Sequence, residues 1–143
     1  MPLRPLAACL IAWLFFAAPL GASQSDARLV EAAKRANEAA VGSLLERGSD
    51  ANAASADGAT ALHWAAHLDE PGMAERLVRA GANGNASNRY CVTPLMLGST
   101  NGNAAILELL LEAGADPNTA MPGGEPPLRR ARHSKFSKIF RFV

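Results

Sequence analysis

What this sequence lacks argues against a disulfide scaffold, a thick aromatic core and a broadly basic binding surface. Only two cysteines occur in 143 residues, and Cys9 falls in the first apolar stretch. Removal of that stretch would leave Cys91 without an internal partner, so Cys91 is expected to be either a buried, quiet side chain, the favoured reading, or one available to another molecule. Aromatics are scarce at 6%, with a single tyrosine, whereas alanine is abundant. Slim helices in close contact suit that composition better than a core built around rings. The formal net charge is only +1 at pH 7, which does not indicate a nucleic-acid binder driven by overall basicity. The length admits one small domain.

Long apolar runs are also missing, with one partial exception at the start. "MPLRPLAACLIAWLFFAAPLGAS" has one positive charge at Arg4, an apolar run from Leu6 to about Leu20, then the small residues Gly21, Ala22 and Ser23. This layout predicts a secretory signal peptide over residues 1–23, cleaved near residue 22 or 23, and a periplasmic or secreted product. The run is shorter than a comfortable span and contains Pro19, which makes an uncleaved membrane anchor the weaker alternative. The rest is asymmetric in charge: residues 23–128 carry 7 basic and 13 acidic side chains, and residues 129–143 carry 6 basic and no acidic ones.

What is present is a period. "GSDAN" at 48–52, "GANGN" at 81–85 and "GADPN" at 114–118 stand 33 residues apart. "DGATALHWAA" at 57–66 aligns with "YCVTPLMLGS" at 90–99 and "GGEPPLRRAR" at 123–132, and backwards with "QSDARLVEAA" at 24–33. The units run over about 24–56, 57–89, 90–122 and a truncated 123–143. Leu62, Ala65 and Ala66, then Leu95 with Gly98 and Ser99, place small and apolar residues at helical spacing. Thr60 and Thr93 suit helix starts, and Pro94 just inside the second start needs no amide partner. The following "NAAILELLLEAG" at 103–114 offers Ile106, Leu107, Leu110 and Leu111 for burial and should close on a left-handed Gly114, as "GMAERLVRAG" at 72–81 should on Gly81. Helix pairs this short cannot bury themselves and must stack, which predicts an all-α solenoid over residues 24–143.

The chain resembles the ankyrin repeat family, and a small exported bacterial-type member in particular. Thr60, Leu62 and His63 with Ala65 and Ala66 carry the family's opening phrase in the second unit. Thr93, Pro94, Leu95, Gly102, the leucines to Leu111, and Gly114, Ala115, Asp116 and Asn118 carry nearly all of the pattern in the third. Met96 replaces the family histidine, and Asp69 with Glu70 stands at the usual Gly-His turn. The resemblance implies that His63 bonds to loop backbone and that partners meet a concave side of hairpin tips and exposed first-helix positions. Those positions are Trp64, His67 and Leu68, then Leu97, Thr100 and Asn101, then Arg130 and His133, with Asp57, Asn88, Arg89 and Tyr90 at the tips. Trp64 is either a contact anchor or a filler between adjacent first helices.

No catalytic set is visible. His63 and His67 are four apart on one helix, a metal-compatible spacing, but "HWAAH" lacks the glutamate of a zinc-protease helix. Glycines in "GGEPP" and "GANGN" suit turns and not phosphate cradles. The expectation is therefore a non-enzymatic protein-interaction module, monomeric, without cofactor or metal and without nucleic acid as a partner. The alternative is an inhibitory or immunity-type protein that occludes an enzyme through its acidic body. In the tail, Phe136, Ile139, Phe140 and Val143 recur at i, i+3, i+4 and i+7, as in a terminal cap; a frayed end or an altered reading of a longer protein would also accommodate them. Membrane contact by this basic segment is the less favoured reading.

Overall fold

The computed structural model describes residues 22–119. Residues 1–21 of the expected leader (1–23), the truncated fourth unit, and Arg130 and His133 with it lie outside these residues. Six helices occur among the described residues: α1 (Ala22–Lys34), α2 (Glu38–Glu46), α3 (Ala61–His67), α4 (Pro71–Arg79), α5 (Pro94–Asn101) and α6 (Ala104–Glu112). Each odd-numbered helix packs on the even-numbered one that follows it. The odd helices also pack on one another in sequence order, as do the even ones. The result is an all-α solenoid of two helical layers.

The core repeats with the register. Leu29, Leu62 and Leu95 occupy equivalent places in the first-helix layer, and Val41, Ala74 and Leu107 do so in the second; all are buried. Leu77 and Leu110 are fully buried, whereas their counterpart Leu44 in the first unit is half-buried at the margin. Leu111, expected inside, is only half-buried. It sits one residue round the helix from Leu110 and reaches only the rim of the apolar stripe.

The echoed phrase is a helix stop followed by a staple. Gly48, Gly81 and Gly114 all have φ between 84° and 87°, the left-handed conformation that glycine adopts without steric cost. At Gly81 the amide donates to the Val78 carbonyl and the next amide, of Ala82, to Leu77, which satisfies carbonyls the helix end would leave open. Two residues past each glycine, a side-chain oxygen closes a local turn: the Asn52, Asn85 and Asn118 amides donate to Asp50, Asn83 and Asp116 respectively. Asn52 then reaches into the next unit, donating to the Gly81 carbonyl and accepting from the Asn83 amide at 2.7 Å. Asn85 repeats both bonds with Gly114 and Asp116. The asparagines thus fix one unit's loop to its neighbour's.

The turns inside each unit echo too. Ala36, Asp69 and Gly102, again 33 residues apart, all have positive φ. Only the third is glycine, so the first two hold a conformation that costs an L-residue roughly 1 kcal/mol.

Ser49 breaks the pattern of its counterparts Ala82 and Ala115. All three are buried, but the Ser49 hydroxyl has no hydrogen-bond partner among the described residues. Ser49→Ala is expected to raise the unfolding free energy by about 1 kcal/mol, since it removes an unsatisfied buried group. Urea denaturation checks this, and an unchanged or lowered midpoint would show that the hydroxyl is bonded after all.

Candidate protein-interaction face

Between the helix pairs the chain makes short fingers. Ala54 and Thr60 form an isolated antiparallel bridge, and the Ser55 amide donates to the Ala59 carbonyl. At its turn Asp57 accepts from the Ser55 hydroxyl and the Ala59 amide, bonds that hold its carboxyl below the usual range. The next finger leans on this one. The Arg89 amide donates to the Asp57 carbonyl at 2.9 Å and its guanidinium to Ala56 at 2.6 Å. Gly58 is required at this approach, since its φ is +82° and a Cβ would stand 3.2 Å from Asn88 Cα. Asn88 closes the second finger by accepting from the Tyr90 and Val92 amides.

His63 ties α3 to that finger. It is 1% exposed. Nε2 lies 3.0 Å from the Val92 carbonyl, which can only accept, so Nε2 carries the proton. Nδ1 is then an acceptor, and the Thr60 amide donates to it in the manner of a capping box. Burial pushes the imidazole below its ordinary pKa, against the opposing influence of the Val92 bond and the Asp57 charge. His63 is thus structural, as the resemblance implies. His67 is exposed one turn on, and among the described residues no group of three His, Cys, Asp or Glu could hold a metal.

The surface turned away from the second helices is a lattice of three rows, each read across the units at the 33-residue step. The first row is Glu31, Trp64 and Leu97; the second Lys34, His67 and Thr100; the third Arg35, Leu68 and Asn101. Trp64 and Leu97 are half-buried against the core, so part of each ring or branch is filler and part is surface. Trp64 meets His67 edge-on, with centroids 6.0 Å apart, and the Lys34 ammonium sits 5.5 Å from the indole centroid, within cation–π range. Leu68 and Tyr90, 37% and 63% exposed, are the large hydrophobics left open among the described residues.

Several candidate contacts have internal work. Asn101 donates to the Ala66 and His67 carbonyls and so caps α3 from the next unit. Thr100 bonds back to the Met96 carbonyl. Arg89 is held by Ala56. These three are positioned parts of the scaffold, while Trp64, His67, Leu68 and Tyr90 remain as surface. Cys91 is exposed, the less favoured of the two sequence readings; it stands at the turn of the second finger, beyond the packed helices, with a positive φ of 57°. Lys34 went unnoticed in the sequence, although stepping back 33 residues from His67 would have found it. No helix among the described residues is long and apolar enough to cross a membrane.

Comparison with known proteins agrees with this architecture. Residues 29–121 match the family model described as ankyrin repeats in three copies. An ankyrin repeat domain-containing protein, SAT10, of Stachybotrys chartarum is 37% identical over 103 residues, covering 72% of this chain and 5% of that protein. Mouse ankyrin repeat and SOCS box protein 16 is 35% identical over 105 residues, 68% of this chain and 23% of its own length. The human mitochondrial disaggregase is 41% identical over 58 residues, covering 41% of this chain and 8% of that protein. This chain therefore spans less than a quarter of each of these relatives. With stacked helix pairs, left-handed glycine stops and a family match across three units, the chain belongs to the ankyrin repeat family.

Proposed function

We propose that this chain is an exported adaptor that binds one partner protein through its first-helix face. Ankyrin repeat domains are structural, non-catalytic modules that serve protein–protein interaction. The observation that carries the reading is Trp64. It is half-buried on the core with its remaining surface between Lys34 and His67, and its indole N–H has no hydrogen-bond partner among the described residues. An amphipathic ring with an open donor suits an interface anchor. Export rests on the sequence layout of residues 1–23, with cleavage near residue 22 or 23 and a periplasmic or secreted product. The partner's identity in the names of the relatives is theirs alone; the family supplies the surface and not the ligand.

An occluding inhibitor remains the second reading, because residues 22–119 carry twelve acidic and seven basic side chains. Most of the acidic ones lie on the second helices and connecting loops, so that reading uses the opposite face.

The two are separated by photo-crosslinking from position 64 and, in parallel, from position 108 on α6, with the mature mass read from the extracytoplasmic fraction. A discrete adduct from position 64 alone supports the adaptor reading. An adduct from position 108 alone supports the inhibitor. A chain retained at full mass inside the cell overturns export.

A further inference from the structure

Resting on that first-helix face, we infer that the partner presents an acidic residue beside an apolar side chain, the carboxylate at Lys34 and the apolar group across Trp64, Leu68 and Leu97. The ion pairs decide which charge the face wants. Arg35 holds Glu31, Arg76 holds Glu38 and Arg79 holds Glu75, each at 2.9 Å or less. Lys34, the only lysine among the described residues, holds no carboxylate there and rests against the indole instead. A cation over a ring face keeps its outward side free for an anion, and the unpaired Trp64 N–H is a second donor within the same cluster.

The surroundings sharpen this choice. The described residues are acidic in total, so an acidic segment is repelled by most of the body, including Glu38, Glu75, Glu108 and Glu112 on the second helices. On the first-helix face the only carboxylate of the three rows, Glu31, is already neutralised by Arg35. Within the three rows attraction is thus concentrated at the Lys34 end. Arg28 and Arg47, outside the rows, also hold no carboxylate among the described residues and lie in the same first unit, so they draw an acidic segment to that end, favouring correct encounters more than affinity.

Composition then changes along the stack. The rows run from charged in the first unit, through Trp64, His67 and Leu68 in the second, to Leu97, Thr100 and Asn101 in the third. An extended or helical segment crossing the units would meet a cation first and apolar surface next. The pattern therefore fixes which end of the bound segment lies over the first unit, the acidic one, and leaves its chain direction open.

The test is a selection from a naive random-peptide library against the full chain. The best enriched peptide is then titrated against the wild type, Lys34→Glu and Trp64→Ala, each checked for unchanged thermal unfolding. Lys34 is exposed, so folding should survive its replacement; Trp64 packs partly on the core, so Trp64→Phe, which keeps that packing but loses the indole N–H, is titrated beside Trp64→Ala. The expected result is enrichment of Asp or Glu next to Leu, Ile, Phe or Trp, with affinity falling about tenfold in either variant. Replacing the peptide's acidic residue by lysine should restore binding to Lys34→Glu. Peptides that depend on Trp64 but carry no acidic residue and ignore Lys34→Glu would overturn this inference and leave the adaptor reading standing. A library that yields nothing sensitive to either variant would overturn both.

Discussion

His63→Ala is expected to lower the unfolding free energy by about 2–4 kcal/mol, through lost packing and two stranded hydrogen-bonding groups. The Thr60 amide loses its acceptor at the start of α3, and the Val92 carbonyl loses its donor in the following finger. The damage is both local and between units: α3 loses a cap, and the finger carrying Tyr90 loses its tie to the helix carrying Trp64. Urea denaturation measures the first effect, and amide exchange at residues 88–92 measures the second. A loss well under 1 kcal/mol would show that the ring only fills space.

Acid should act on the same contact in the wild type. The folded pKa of His63 lies below its ordinary value of 6.5, so the folded state binds its proton less readily than the unfolded chain. The stabilisation from the neutral ring is fully present above the unfolded pKa. It is lost as pH falls from there through the depressed folded value. Protonation would set a second N–H at Nδ1 against the Thr60 amide, two donors facing each other. Denaturation midpoints compared at neutral and mildly acidic pH should therefore fall in the wild type, and fall less in His63→Ala. Equal slopes in the two proteins would remove His63 from the account.

Leu77→Ala is expected to be costlier still, about 3–5 kcal/mol, because its side chain is wholly enclosed in the middle unit and leaves a cavity there. The equivalent change at half-buried Leu44 should cost about 1–2 kcal/mol, since less apolar surface returns to water. In a stack each unit is stabilised by its neighbours, so a lesion in the second unit weakens interfaces on both sides. Calorimetry on the two variants checks the ordering, and equal losses would mean that the first unit is covered more fully than its exposure implies. Loss of the middle unit would also dismantle the Lys34, Trp64 and Leu97 neighbourhood, which spans all three.

The fold was legible because repetition multiplies weak signals. One glycine or one Thr-Pro-Leu is ambiguous, but three left-handed stops and aligned helix starts at one spacing leave little freedom. The stops at Gly81 and Gly114 and the buried leucines other than Leu111 could be read from the chain, and the role of His63 followed from the family resemblance. The interaction face was legible in outline only. His67, Leu68 and Tyr90 are exposed and Trp64 and Leu97 half-buried, while Asn101, Thr100 and Arg89 bond within the scaffold, and none of this shows which of them a partner meets. A polar side chain at an exposed register position can satisfy a neighbouring unit's backbone or a partner, and sequence does not distinguish these. The exposure of Cys91 is undetermined by sequence for a related reason. Apolar-leaning residues are usually buried, but a finger turn stands clear of the helices and offers a side chain little to pack against.

By itself the sequence determined the period, the helix starts after Thr60 and Thr93, the stops at Gly81 and Gly114 and the all-α stack, because these depend on local conformational preference and on apolar spacing along the chain. Only the tertiary structure decided that Asn52 and Asn85 staple consecutive loops and that Ser49 is a buried hydroxyl without a partner. It also decided that Lys34 rests on Trp64 without a carboxylate. Each of these depends on groups from different units meeting at angstrom distances, and that is set by how the units stack and not by the order of residues within any one of them.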